Sequence, residues 1–233
     1  MNTKILGVLG GMGPLASATF MVRLTLLTDA ARDQDHICSV LWSDPTVPDR
    51  TLARQGGASP LPALSHGIAV LRAAGAGAIA IPCNTAHGWY EPLCKDAGVP
   101  ILHIVEAAAN ELRRHVARGR VGVLGTSATL AMRLYQDRLE AMGWEVITPD
   151  DDEMARLVTP GIAAVKANRV REAYGPLADA ALRLKQRGAQ AVVLGCTEIP
   201  LGIQAGPYAE IGLPLIDTID ALALAAIAWT RLP

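Results

Sequence analysis

Ala78-Ile79-Ala80-Ile81-Pro82-Cys83-Asn84-Thr85-Ala86-His87 reads as a buried strand that halts at a proline, reaches a cysteine and enters a new element through residues that favour helix starts. A thiol is therefore expected where strand gives way to helix. Ala191-Val192-Val193-Leu194-Gly195-Cys196-Thr197-Glu198-Ile199-Pro200 repeats the arrangement, with Cys196 in the place of Cys83 at an offset of 113. Two further pairs keep similar spacing: Val8-Leu9-Gly10 returns as Val123-Leu124-Gly125 at an offset of 115, and Val99-Pro100-Ile101 as Leu213-Pro214-Leu215 at 114. Such ordered self-similarity implies an α/β fold of two similar lobes, each a parallel sheet, related by a pseudo-two-fold. The expected first lobe is residues 1–104, completed by a C-terminal helix over 217–233, and the second is 105–216. Each lobe then brings one cysteine, and the active site is expected in the cleft between the lobes.

The 233 residues suffice for an ample core. With 21 basic against 22 acidic side chains and no Lys/Arg run, neither nucleic acid nor a membrane surface is an expected partner. Met1-Asn2-Thr3-Lys4-Ile5 resembles neither a leader nor a membrane span, which points to a cytoplasmic protein. The four cysteines lack paired spacing and read as free thiols, with Cys38 and Cys94 as packed, inert ones.

Lys4 to Leu9 reads as a strand feeding Gly10-Gly11-Met12-Gly13-Pro14, with Pro14 opening a helix to about Ala31. The turn fits the loose dinucleotide pattern G-x-G-x-x-A, but Asp44, the acidic residue after the strand Cys38–Trp42, follows Gly11 by 33 residues, too many for that reading. Close strand–helix packing accounts for the glycines equally well. Ser43-Asp44-Pro45-Thr46-Val47-Pro48-Asp49-Arg50-Thr51 reads as a polar loop at a strand's C-terminal end, where Arg50 is suited to a carboxylate. A helix is expected from about Pro60 to Ala74, another from Ala128 to Met142, a strand near Glu145 to Thr148, helices on both sides of Asn168, and a closing helix from Asp217.

Two thiols flanking one carbon suit inversion of a stereocentre beside a carboxylate, since one group removes a proton while the other supplies one on the opposite face. A thiol's ordinary pKa of roughly 8.5 falls near a helix N-terminus or a cation, so a thiolate and a thiol can coexist near neutrality. Cys83 with His87 could also be read as part of a zinc set, but no other short His/Cys spacing completes it. His87 reads instead as a donor behind the thiol or a packed histidine.

Taken together, Gly7 to Pro14, Pro48-Asp49-Arg50-Thr51, Pro82 to His87, Gly161-Ile162 with Lys166, and Gly195-Cys196-Thr197-Glu198 resemble the aspartate/glutamate racemase family nearly end to end. The resemblance implies a homodimer that inverts a small acidic amino acid, aspartate and possibly glutamate, with no pyridoxal phosphate, metal or other cofactor. It implies Cys83 and Cys196 as catalytic groups, with Arg50 and Lys166 receiving the substrate and biasing the thiols toward thiolate. Met12, Asn84, Thr85, Ala86, Thr126, Thr197 and Glu198 are the further substrate-binding positions it implies. Glu198 stands where dedicated glutamate racemases carry a histidine, and Asp44 where many aspartate-type relatives carry an amide. Alternatives are a related cysteine-dependent isomerase or decarboxylase of another carboxylic acid, or a non-catalytic amino-acid-binding protein.

Overall fold

The computed structural model describes residues 4–232, so the reading of Met1-Asn2-Thr3 lies outside the described residues. Its first half places β1 (Ile5–Gly10), α1 (Pro14–Leu27), β2 (Ser39–Ser43), α2 (Arg50–Arg54), α3 (Leu61–Ala73), β3 (Ala76–Ala80), α4 (Tyr90–Ala97), β4 (Ile101–Leu102) and α5 (Ile104–His115). The second half adds β5 (Gly119–Gly125), α6 (Ser127–Ala131), α7 (Gln136–Ala141), β6 (Trp144–Ile147), α8 (Asp151–Glu153), α9 (Thr159–Lys166) and α10 (Val170–Gln186). It closes with β7 (Val192–Gly195), α11 (Glu198–Gln204), β8 (Leu215–Asp217) and α12 (Thr218–Thr230).

The strands form two four-stranded parallel sheets, ordered β2-β1-β3-β4 and β6-β5-β7-β8. The self-similarity of the sequence is thus a repeated topology. Two compact units contain one sheet each: the first runs up to Ala107 and resumes at Ile219, and the second is Ala108–Thr218. The central strands carry almost unbroken apolar runs because parallel sheets are covered on both faces. The chain steps from β1 to β2 on one side and returns to β3 on the other, so the strand order reverses between β1 and β3, the switch point beyond whose strand ends open α/β sheets place their ligands. In the second sheet the corresponding switch point lies between β5 and β7.

The glycine turn after β1 has a packing role. A Cβ on Gly11, whose φ is +94°, would fall 2.3 Å from the Asp44 carbonyl oxygen. Its N–H donates to Ser17 Oγ at 2.9 Å, tying the turn to α1. The loop after β2 is organised locally, with the Asp44 carboxylate accepting from the Thr46 N–H and hydroxyl at 2.8 and 2.6 Å.

Three expectations are corrected. The first helix ends at Leu27 rather than near Ala31, because Thr28 takes up extended backbone while its hydroxyl donates to the Leu24 carbonyl. The helix expected over 128–142 is broken into α6 and α7, with Arg133 between them at a φ of 52°. Cys38 is exposed rather than packed, since it lies just before β2, which is an edge strand with one flank uncovered. Among the described residues, no helix is long and apolar enough to cross a membrane.

Candidate active site

Each unit places a buried cysteine at its switch point. In the first unit Val8 is the partner of Ala80 in the β1–β3 ladder, and the chain continues past these strands to Met12 on one side and Cys83 on the other. Met12 and Cys83 are 2% and 5% exposed and share a buried apolar cluster with Val47 and Ala86. The Cys83 N–H donates to the Ile81 carbonyl at 2.8 Å, so the main chain leaves the strand pattern at the thiol itself. Asn84, Thr85 and Ala86 follow in a buried 3-10 turn, Thr85–Trp89, that leads into α4.

Arg50 reaches the same cluster through α2. Asp49 caps that helix, accepting from the Thr51 and Leu52 N–H groups at 2.7 and 2.9 Å, and so fixes where Arg50 begins. The Arg50 guanidinium is buried and donates to the carbonyls of Val47, Pro48 and Met12 at 3.0, 3.1 and 3.3 Å. No carboxylate pairs with it among the described residues. A buried cation held only by carbonyl dipoles retains its attraction for an anion.

The second unit repeats the plan with different chemistry. Gly125 and Gly195 are register partners at the ends of β5 and β7, so Thr126 and Cys196 each stand one residue beyond a paired strand end. Thr126 caps α6, accepting from the Thr129 N–H at 3.1 Å. Cys196 donates its thiol proton to Glu198 Oε2 at 3.0 Å, and the Thr197 hydroxyl approaches the same oxygen at 3.4 Å. Both partners are buried: Cys196 is 4% exposed, as is Glu198. Burial above all, and then the Glu198 carboxylate, pushes the Cys196 thiol well above its ordinary value, opposed first by the Glu198 backbone N–H at the start of α11 and then by Lys166 at the end of α9.

This corrects the expectation that the following helix and a cation would poise this thiol as a thiolate. Desolvation and the adjacent carboxylate raise the thiol against both influences. Lys166 itself is on the exposed side of α9, so it acts on Cys196 through its field rather than by burial beside it. Sequence reasoning missed Tyr135, a fully buried phenol whose ring lies against Gly195 and whose ionisation is opposed by burial and by the Cys196 charge. Nothing in the local sequence marks it, because its neighbour in space is sixty residues away.

His87 is also buried, and its ring nitrogens face the Cys83 carbonyl and the Ile104 N–H. The four cysteines are all free thiols.

A family model described as Asp/Glu/hydantoin racemase matches residues 9–226. The chain is 30% identical over 230 residues to the broad specificity amino-acid racemase RacX of Bacillus subtilis (strain 168), covering 96% of this chain and 97% of that one. Among solved structures, the Picrophilus torridus aspartate racemase superposes with a TM-score of 0.85 at 32% identity, covering 99% of this chain and 96% of the other. The glutamate racemase of Francisella tularensis subsp. tularensis SCHU S4, in complex with D-glutamate, shares the fold at a TM-score of 0.69 and 15% identity, with 98% and 81% of the two chains covered.

Proposed function

Because the chain belongs to the Asp/Glu/hydantoin racemase family, we propose that it interconverts L- and D-aspartate by two-base proton transfer between Cys83 and Cys196, without pyridoxal phosphate or a metal. The observation that carries this reading is the repeated one: each sheet's switch point ends on a buried cysteine. The similarity to an aspartate racemase supports aspartate as the first substrate to try, and the similarity to a broad specificity racemase supports a wider panel beside it.

In this mechanism the Cys83 thiolate removes the α-proton from one face and the Cys196 thiol delivers its proton to the other, leaving a Cys83 thiol and a Cys196 thiolate. The opposite enantiomer runs the exchange in reverse. Charge that develops on the α-carboxylate is neutralised by Arg50, whose guanidinium is held by carbonyl oxygens, and by Lys166. Met12, Asn84, Thr85 and Ala86 line the carboxylate pocket beside Cys83, while Thr126, Thr197 and Glu198 do so beside Cys196. Glu198 has a second task, since its carboxylate already accepts the Cys196 proton's hydrogen bond and directs the sulfur.

The test is a chiral assay of aspartate, glutamate and a panel of neutral amino acids, with a chelator present and no cofactor added. Turnover of aspartate that Cys83→Ala and Cys196→Ala each abolish is the expected result. In heavy water the two variants should each exchange the α-proton of a different enantiomer with retention. Racemisation surviving either substitution would overturn the two-thiol mechanism, and stabilisation by aspartate without turnover would identify a binder.

A further inference from the structure

The geometry points to His87 as a positioning residue for Cys83: a neutral imidazole whose two nitrogens clamp the cysteine's carbonyl to the first turn of α5 and so aim the thiol. Its Nδ1 lies 3.0 Å from the Cys83 carbonyl oxygen, and the Ile104 N–H donates to its Nε2 at 3.2 Å. The Cys83 carbonyl only accepts and the Ile104 N–H only donates, so these two bonds are made together when Nδ1 carries the proton and Nε2 the lone pair, the tautomer the clamp requires.

Three surroundings hold the ring in that state. His87 is 4% exposed, and its proton affinity is lowered to about 4 by burial first and by His103 second, with the Cys83 and Leu102 carbonyls pulling weakly the other way. The Tyr90 ring stacks on it with centroids 6.0 Å apart and planes 12° apart, and the His103 ring lies 5.2 Å away. Tyr90 is itself fixed, donating its hydroxyl proton to the Ile101 carbonyl at 3.1 Å.

The consequence for Cys83 is specific. Its N–H is taken by the Ile81 carbonyl at 2.8 Å and its carbonyl by His87, so both peptide planes flanking its Cα are pinned although the residue belongs to neither a strand nor a helix. With both planes fixed, the Cα–Cβ direction is fixed, and the thiol has only its own rotamers to choose among. A sulfur that must reach one face of one carbon gains from that restriction. The bonds His87 makes at Nδ1 and Nε2 are to main-chain groups, so the proposed effect on chemistry passes through the backbone.

The inference rests on the racemase reading only where turnover is measured, so the first measurement avoids turnover. Iodoacetamide labelling of the ligand-free protein, resolved by peptide mass spectrometry, is compared for wild type, His87→Phe and His87→Gln. The phenylalanine fills the volume with no hydrogen bond, whereas glutamine offers one donor and one acceptor. Cys83 labelling should change about fivefold or more in His87→Phe and return toward wild type in His87→Gln, with Cys196 labelling unchanged in both. Equal Cys83 rates in all three proteins, or a parallel change at Cys196, would overturn the proposal.

If racemisation is observed in wild type, kcat should fall in His87→Phe with KM little altered, and recover in His87→Gln. A change confined to KM counts against positioning. Should His87→Phe fail to fold, nitrogen-15 spectra of the wild-type histidines still decide the tautomer. A neutral ring protonated at Nδ1 at pH 7 is required, and an Nε2-protonated or doubly protonated ring refutes the clamp.

Discussion

Cys196 and Cys83 hold equivalent positions in sequence and unequal ones in chemistry. Removing the charge beside Cys196 by Glu198→Gln should lower its thiol from its raised value, so alkylation of Cys196 near pH 8 should speed up several-fold while racemisation falls. Peptide-resolved labelling checks the first outcome and the chiral assay the second. A slower thiol in the variant would reverse the electrostatic account. His87 yields a stability prediction whose sign follows from its depressed proton affinity. The unfolded chain, with an ordinary histidine value of 6.5, binds a proton that the folded protein refuses down to about 4. The stabilisation is therefore complete above pH 6.5 and is lost as pH falls toward 4, amounting to about 3 kcal/mol. Urea midpoints at pH 7 and pH 4.5 should fall more for wild type than for His87→Gln, which carries no titrating ring. Both cysteines were legible in the sequence because a strand end, a thiol and a helix start are adjacent in the chain. Tyr135 and the Ile104 contact of His87 were not, because those partners are brought together only by folding.

Short helices and turns carry much of the site, and α2 shows how little sequence is needed. Asp49→Ala removes both capping bonds and should cost about 1 kcal/mol of stability. Because Arg50 is the first residue of that helix, KM for the substrate should rise out of proportion to the change in melting temperature. A normal KM would separate the cap from the site. Gly11→Ala is the harsher change, since a methyl there meets the Asp44 backbone and the φ of +94° disfavours a side chain. Few clashes are less avoidable, and a loss of about 4 kcal/mol or failure to accumulate as folded protein is expected. The glycine's role was open between ligand and packing in the sequence, because only the structure shows the Asp44 loop pressed against it. The break at Arg133 was invisible for a different reason: the apolar spacing of 128–142 continues across a residue whose backbone turns left-handed.

At the scale of the chain, the repeated sheet order was the most legible property, because three offsets near 114 residues, met in the same order, are what a duplicated strand-and-helix unit leaves behind. The homodimer is a proposal with a physical motive in α1, where Leu15, Val22 and Leu26 are 37%, 56% and 67% exposed. Val22→Glu combined with Leu26→Glu should yield monomers by light scattering if that face joins two copies, and an unchanged mass would place the interface elsewhere. α12 belongs to the first unit although it follows the whole of the second in the chain: its Asp220 carboxylate pairs bidentately with Arg23 at 2.5 and 2.6 Å, and Lys4 lies over the Trp229 ring. The second unit, by contrast, is one uninterrupted stretch. During synthesis, then, the later-coded unit is the first whose residues have all left the ribosome, and the earlier-coded unit has its four strands but not its last helix until α12 follows.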